Sequence, residues 1–380
     1  MKIPFNIPFL TGNETEYIKD AVISGKISGN GKYTKKCQSF FEKRYGFKKC
    51  LLTSSCTDAL EMTAILMDVG PSDEIILPSY TFVSSANAFV LRGAKLVFAD
   101  SNETNPNIDV ESVKKLITPK TKAIVVVHYA GIACDMDGIM DLAKKYDLFV
   151  VEDAAHAIDS FYKGKPLGSI GHFSTFSFHE TKNIISGEGG MLVVNDERFF
   201  QRAEVIWEKG TNRSAFFRGE VDKYNWIDIG SSFLPSEVIS AFLLAQLESL
   251  DTIQKKRKNV WEYYHKRFSD LALTMVQLPQ ISNYATNNAH MYYMVCDSLT
   301  SRNKLIQGLK KKGIWSVFHY LPLHESPFYS KIKAPERLKN CSKYANCLIR
   351  LPFYFTITKA EQDYIINEVA QIVSKHNKCD

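Results

Sequence analysis

Between residues 50 and 200 the chain alternates short, β-branched apolar runs with longer stretches whose apolar positions recur at helical spacing. The runs Glu74-Ile75-Ile76-Leu77, Leu96-Val97-Phe98, Ala123-Ile124-Val125-Val126-Val127 and Leu148-Phe149-Val150-Val151 read as strands. Such alternation predicts an α/β fold, a mostly parallel sheet with helices covering both faces. Upstream, Thr11-Gly12-Asn13-Glu14 has the form of a capping box, and Tyr17, Ile18, Ala21 and Val22 follow at helical spacing, so a first helix is expected there. Gly25, Gly29 and Gly31 then mark a loop. The alternating segment Phe173 to Phe178 predicts a further strand, with a glycine-rich flexible loop at Ser186-Gly187-Glu188-Gly189-Gly190. After about residue 250 the texture changes to a basic amphipathic helix from Ile253 to Phe268, short strands such as His290 to Val295, and more helix. The expectation is a large domain over 1–250, whose segment 1–35 contributes to the small domain or to a dimer contact, and a smaller α+β domain over 251–380.

Composition supports two cores, since 380 residues with 45% apolar content exceed what one core usually organises. The 47 Lys+Arg and 41 Asp+Glu are interspersed for a net charge of +6, which argues against a nucleic-acid surface. Eight cysteines without a CxxC pair indicate neither zinc nor a disulfide framework, so no metal and a reduced, cytoplasmic setting are expected. The first nine residues hold two prolines and no apolar leader, and no run is long enough to insert into a membrane.

Open α/β sheets bind ligands at the carboxyl ends of their strands. Here those ends carry Pro78-Ser79-Tyr80-Thr81, Asp100-Ser101, His128-Tyr129-Ala130-Gly131 and Glu152-Asp153. Asp153 closes an apolar strand, where an unpaired carboxylate is costly, so it requires a cationic or hydrogen-bonding partner. Lys182 follows in Phe176-Ser177-Phe178-His179-Glu180-Thr181-Lys182-Asn183. A lysine amine to bind the aldehyde, with a carboxylate to keep a pyridine nitrogen protonated, is what pyridoxal phosphate needs. Asp153 could equally cap the turn that follows it. Thr53-Ser54-Ser55-Cys56-Thr57 before a helix-like run suits a phosphate at a helix N-terminus, or is an ordinary capped helix. The aromatics of Tyr80-Thr81-Phe82 could stack on a flat ring or fill the core, and His156 could lie beside that ring or pack.

Several stretches in order carry a resemblance: Pro78 to Ala88 (PSYTFVSSANA), Val151-Glu152-Asp153-Ala154-Ala155-His156, Phe176 to Asn183, Gly187-Glu188-Gly189-Gly190 and Phe318-His319-Tyr320-Leu321-Pro322-Leu323-His324. Nearly end to end, the chain resembles the DegT/DnrJ/StrS sugar-nucleotide aminotransferases, within the fold-type I pyridoxal-phosphate enzymes. The resemblance implies Lys182 as the Schiff-base lysine and proton carrier, Asp153 as partner of the pyridine nitrogen, and Phe82 as the stacking aromatic. It further implies His156 beside the ring, Cys56, Thr57 and Ser177 in the phosphate cradle, His319 and Tyr320 near the substrate, and a homodimer with the site at the subunit boundary. One departure stands out: the family commonly has Gly-Tyr-Asn-Tyr-Arg where this chain has Gly230-Ser231-Ser232-Phe233-Leu234, so Ser232 replaces an asparagine that reaches the phosphate across the interface.

The stretch Glu208 to Gly219 (EKGTNRSAFFRG), continuing to Asp222-Lys223-Tyr224, is similar to the branch that aminates C4 of dTDP-4-keto-6-deoxy-D-glucose with L-glutamate, giving dTDP-4-amino-4,6-dideoxy-D-galactose and 2-oxoglutarate. Arg213, Arg218 and Lys223 are then anion contacts for substrate or, with nearly equal standing, members of a solvated basic loop. The alternatives are amination at C3 or of a UDP- or GDP-linked keto sugar. A dehydratase relative would carry histidine in place of Lys182, and a non-enzymatic relative would have lost Lys182 or Asp153; neither loss is present.

Overall fold

The computed structural model describes residues 2–333 and 337–376. Its strands are β1 (Lys49–Thr53), β2 (Glu74–Pro78), β3 (Lys95–Ala99), β4 (Thr121–Val127), β5 (Phe149–Asp153), β6 (Phe161–Tyr162), β7 (Lys165–Pro166), β8 (Phe173–Ser177), β9 (Gly190–Val194), β10 (Val276–Gln277), β11 (Tyr293–Cys296) and β12 (Leu348–Arg350). The main sheet runs β1-β9-β8-β5-β4-β2-β3, with β9 antiparallel to both its neighbours and the other pairs parallel. The four apolar runs read as strands fall on β2 to β5, and Phe173–Ser177 is β8. Both faces are covered, so side chains that alternate along β4 and β5 enter two different cores: Val125 and Val151 on one side, Val126 and Val150 on the other.

Three helices open the chain: α1 (Glu14–Ile23), α2 (Lys32–Tyr45) and α3 (Cys56–Leu66). Only half of the expected capping box forms. The buried Glu14 carboxylate reaches back to the Thr11 and Gly12 N–H groups at 2.7 and 2.9 Å, but Asn13 occupies the cap position without a side-chain bond. Glu14 is held instead by the Gln246 amide at 2.7 Å, so a tertiary contact fixes this helix start.

The start of α2 is capped from a distance. Gly31 contributes no side chain, and the buried Glu237 carboxylate, in helix Glu237–Glu248, accepts the N–H groups of Gly31, Tyr33 and Thr34 at 2.9, 2.7 and 3.1 Å. A Cβ at Gly31 would fall 2.5 Å from the Glu237 carboxyl carbon, which is why glycine stands there. Three otherwise orphaned donors at the positive end of a helix depend on one carboxylate. Glu237→Gln is therefore expected to destabilise the protein by about 1–3 kcal/mol, read as a lowered urea midpoint with an unchanged m-value.

Helix Leu250–Leu271 joins the two halves: Leu250 and Ile253 pack under the main sheet, whereas Val260, Trp261, Tyr264 and Phe268 belong to a third core. That core lies against the antiparallel sheet β10-β11-β12 and includes Ile3, whose backbone bridges Gly313 and Trp315 at 2.8 and 3.0 Å. The strand expected over His290 to Val295 begins only at Tyr293. The carbonyls of Asn288, Ala289 and His290 are taken by Asn183 and Arg257 side chains instead of a ladder. The seven cysteines among the described residues are free, and among those residues no helix is long and apolar enough to cross a membrane.

Candidate active site

The carboxyl ends of the parallel strands open onto a cavity of about 470 Å³. β5 delivers two acidic residues to opposite faces, as its pleat requires. Glu152 is turned away and saturated: it accepts the N–H groups of Gly168, Ile170 and Gly171 at 2.9, 2.8 and 2.6 Å and faces His128 Nε2 at 3.0 Å. Asp153 lines the cavity, where its carboxylate accepts the Ser85 hydroxyl at 2.6 Å and the Ala155 N–H at 3.1 Å. Burial pushes its pKa up, and those two bonds with the nearby Lys182 charge only partly oppose the rise. Such a carboxylate is short of a cation.

Lys182 reaches the same cavity from the turn after β8, where its N–H is bonded to the His179 carbonyl at 2.9 Å. Desolvation lowers its amine to about 8, against the opposing pull of Cys56 and Asp153. A substantial neutral fraction near neutral pH makes the amine a nucleophile.

The helix α3 points its N-terminus at the cavity. Ser55 caps it by accepting the Asp58 N–H at 3.0 Å, which leaves Cys56 and Thr57 in the first turn. The Thr57 and Ser84 hydroxyls meet at 2.7 Å, and Ser177 lines the same end. A Cβ on Gly190 would fall 2.3 Å from the Ser55 carbonyl carbon and 2.4 Å from the Cys56 nitrogen, so only glycine lets β9 pass beneath this turn. Free N–H groups, a positive dipole end and three hydroxyls suit a phosphate dianion. Of the two aromatics after β2, Tyr80 is in the core and Phe82 is 55% exposed with a face on the cavity.

His156 is sandwiched on one side by His290, ring centres 4.3 Å apart. Its Nδ1 accepts the Ala130 N–H at 3.4 Å and its Nε2 lies 3.4 Å from the Tyr320 hydroxyl. Burial, with Lys182 and Arg350 nearby, drives its pKa well down and keeps it neutral. The Asn183 amide donates to Gln254 and to the Asn288 carbonyl, so its oxygen accepts from His290 Nδ1 at 2.8 Å and fixes that ring. His319 is held by its carbonyl, which accepts the Tyr129 hydroxyl at 3.2 Å and the Tyr80 hydroxyl.

An amine, a buried carboxylate lacking a cation, an open aromatic face and a phosphate cradle share one cavity, and these residues fit pyridoxal phosphate. Lys182, Asp153, His156, Phe82, Cys56, Thr57, Ser177, His319 and Tyr320 all line it. Four expected residues do not. Arg218 is committed to Glu204 and Glu220 at 2.9 and 2.7 Å, Arg213 lies over the Phe217 ring, and Lys223 and Ser232 are exposed, with Ser232 bridging Glu208 through its backbone. Within one chain, no residue of helix Arg213–Phe217 or of the loop from there to Ser232 lines the cavity. Residue-by-residue reading missed Phe5, Ser84, Ser85, His290 and Arg350. Ser84 and Ser85 sit in the stretch after β2 that carries the resemblance, while Arg350 is signalled only as the one cation in the apolar run Leu348-Ile349-Arg350-Leu351.

Known proteins match along the whole length. GDP-perosamine synthase of Caulobacter vibrioides is 32% identical, covering 98% of both chains, and the uncharacterized protein MJ1066 of Methanocaldococcus jannaschii is 33% identical with the same coverage. Among solved structures, the putative sugar aminotransferase Spr1654 of Streptococcus pneumoniae in its PMP form superposes with a TM-score of 0.91 at 27% identity, over 100% of this chain and 99% of that one. Helicobacter pylori PseC, an aminotransferase of pseudoaminic acid biosynthesis, superposes at 0.90 with 26% identity, over 99% and 100%. The sequence model of the DegT/DnrJ/EryC1/StrS aminotransferases matches residues 8–370, and with that match spanning both sheets and every residue of the cavity but Phe5, the chain belongs to this family of pyridoxal-phosphate enzymes.

Proposed function

We propose that the protein transfers the amino group of L-glutamate to C4 of dTDP-4-keto-6-deoxy-D-glucose, releasing 2-oxoglutarate and dTDP-4-amino-4,6-dideoxy-D-galactose. The placement of the Lys182 amine and the Asp153 carboxylate on one cavity carries the amino-transfer chemistry. The choice of sugar rests on the stretch Glu208 to Gly219. Pyridoxal phosphate supplies an electron sink for the charge left at the carbon that loses its proton, and it carries the amine between the two substrates. Lys182 would hold the cofactor through its aldehyde and would then carry the proton to and from the substrate carbon, a role that suits an amine held near 8. With the cofactor bound, Asp153 would hold the proton on the pyridine nitrogen, Phe82 would support the ring face, and Thr57, Ser177 and the start of α3 would hold the phosphate. Neutral His156 orients the ring from its edge, and His319 and Tyr320 border the substrate side.

A GDP-linked keto sugar is the second reading, favoured by the GDP-perosamine synthases among the relatives. The deciding assay gives the loaded protein L-glutamate and a panel of dTDP-, GDP- and UDP-linked 3- and 4-keto sugars, with products read by mass and NMR. A new amine at C4 of the dTDP sugar with galacto configuration is expected; amination of a GDP or UDP sugar alone rejects the dTDP reading.

We further propose a cytoplasmic homodimer. Beside Ser232 the surface exposes Trp226 at 82% together with Phe217, Ile227 and Ile229, an apolar group that a second copy would cover. Ser232, outside the cavity of its own chain, would then donate its hydroxyl to the phosphate bound in the partner. Ser232→Ala is expected to weaken cofactor retention by roughly 0.5–3 kcal/mol. In heterodimers of one Lys182→Ala and one Ser232→Ala subunit, a contact across the interface leaves one site intact and one doubly altered. A contact within the chain alters each site once, so activity per heterodimer separates the two arrangements.

A further inference from the structure

His290 lines the cavity, is only 4% exposed, and has its ring hydrogen-bonded through Nδ1 alone. Which nitrogen carries its proton is fixed by a chain of amides. The Gln254 amide nitrogen faces the Asp159 carboxylate and the Asn288 carbonyl, both at 3.4 Å, so its oxygen is left to accept from Asn183 at 2.8 Å. The Asn183 nitrogen, with a second bond to the Asn288 carbonyl at 2.9 Å, is thereby used up, and its oxygen faces His290 Nδ1 at 2.8 Å. Reversing either amide would set oxygen against oxygen, so Nδ1 holds the proton. Burial, with His156, Lys182, Arg350 and Arg257 nearby, drives the pKa of His290 well down and keeps the ring neutral. Nε2 is therefore a bare lone pair, an acceptor without a donor among the described residues, and a buried polar atom in that state is costly.

His156 presents the opposite sense. Its Nδ1 is occupied by the Ala130 N–H at 3.4 Å, so its proton is on Nε2. The two stacked rings, centres 4.3 Å apart, thus offer the cavity one donor and one acceptor. The reactants differ in which of these they can use. The nitrogen of L-glutamate is the atom handed over, and both its carboxylates only accept, as do those of the 2-oxoglutarate left behind. The cofactor's phosphate and ring oxygen also present acceptors, to α3 and to His156, and its pyridine proton belongs to Asp153. A keto sugar brings hydroxyls, which donate. Because His290 touches His156 at the edge of the cofactor's site, the hydroxyl it meets adjoins the reacting carbon and does not lie toward the nucleotide.

We infer that His290 Nε2 accepts a hydrogen bond from the sugar hydroxyl on the carbon beside the ketone, and so selects substrates that carry it. The inference rests on the keto-sugar reading above and not on the choice of nucleotide.

The test uses the amine-loaded protein and two sugar nucleotides: the one that the wild type aminates, and its analogue lacking the hydroxyl beside the ketone. The wild type should favour the hydroxylated sugar by about 10- to 100-fold in kcat/KM, because the analogue leaves the lone pair unpaired. His290→Phe keeps a ring to stack on His156 but has no lone pair, and there the preference should fall below about threefold. The first half-reaction, with L-glutamate, should keep its KM and rate within about threefold. Equal use of both sugars by the wild type overturns the assignment whatever the variants do, and so does a preference that survives His290→Phe. An equal loss in both half-reactions gives Nε2 to Lys182 or to the cofactor instead, and overturns it while leaving the function standing. A wild type that aminates no keto sugar overturns the function and the assignment together. Should His290→Phe fail to fold, His290→Leu, smaller and equally without a lone pair, is read in its place.

Discussion

Replacing Lys182 by alanine is expected to abolish covalent capture of pyridoxal phosphate and to lower kcat by on the order of 10³–10⁴-fold, the upper part of the range for losing a general acid–base. The amine has two tasks, attachment and proton movement, and among the described residues no other lysine lines the cavity. Borohydride reduction of the wild type should place the pyridoxyl mass on the peptide containing Lys182 alone. Because the amine is depressed to about 8 by desolvation, and only its neutral form attacks, the rate of capture by the cofactor-free protein should climb with pH and level off above about 8. A label on another lysine, normal turnover in the variant, or a capture rate flat between pH 6 and 9 would each defeat this assignment.

Asp153→Asn is expected to cost roughly 10- to 1,000-fold in kcat while leaving the fold intact. An opposite charge at this range is worth about one to three pKa units to the group it faces, and an amide of the same shape supplies none of it. The effect should fall on kcat because electron withdrawal matters most in the transition state. Stability should move the other way in the cofactor-free protein. Burial raises the folded pKa of Asp153 above its ordinary value, so the native state holds this proton longer than the unfolded chain. The resulting stabilisation is complete below the unfolded pKa and is lost as pH rises through the folded value. At neutral pH the wild type therefore carries a desolvated carboxylate that the neutral amide of Asp153→Asn removes, and the variant should melt at an equal or higher temperature. A near-wild-type kcat would make Asp153 a structural residue.

Local pattern carried far in this chain, for a definite reason. A strand buried on both faces tolerates few polar residues, so Asp153 at the end of β5 announces a partner, and small hydroxyl residues before an apolar helix mark an N-terminus able to hold an anion. Those cues, with ordered motifs from Pro78 to His324, are enough to place Lys182, Asp153, Phe82 and the start of α3 on one sheet edge. Apolar periodicity alone could not separate Tyr80 from Phe82, because it gives a face but not what covers it; the resemblance singled out Phe82.

What required the folded molecule was contact between elements far apart in sequence. His290 meets His156, Arg350 enters the cavity beside His319, and Glu237 caps a helix that begins two hundred residues earlier. Arg213, Arg218 and Lys223 carry charges that suit an anionic substrate, but none of them lines the cavity of its own chain, and Glu204 and Glu220 occupy Arg218. Charge and residue type are written locally. Which neighbours a side chain finds, and hence whether its charge is spent or left open for a ligand, is set by the packing of the two sheets around the long helix Leu250–Leu271 that links them.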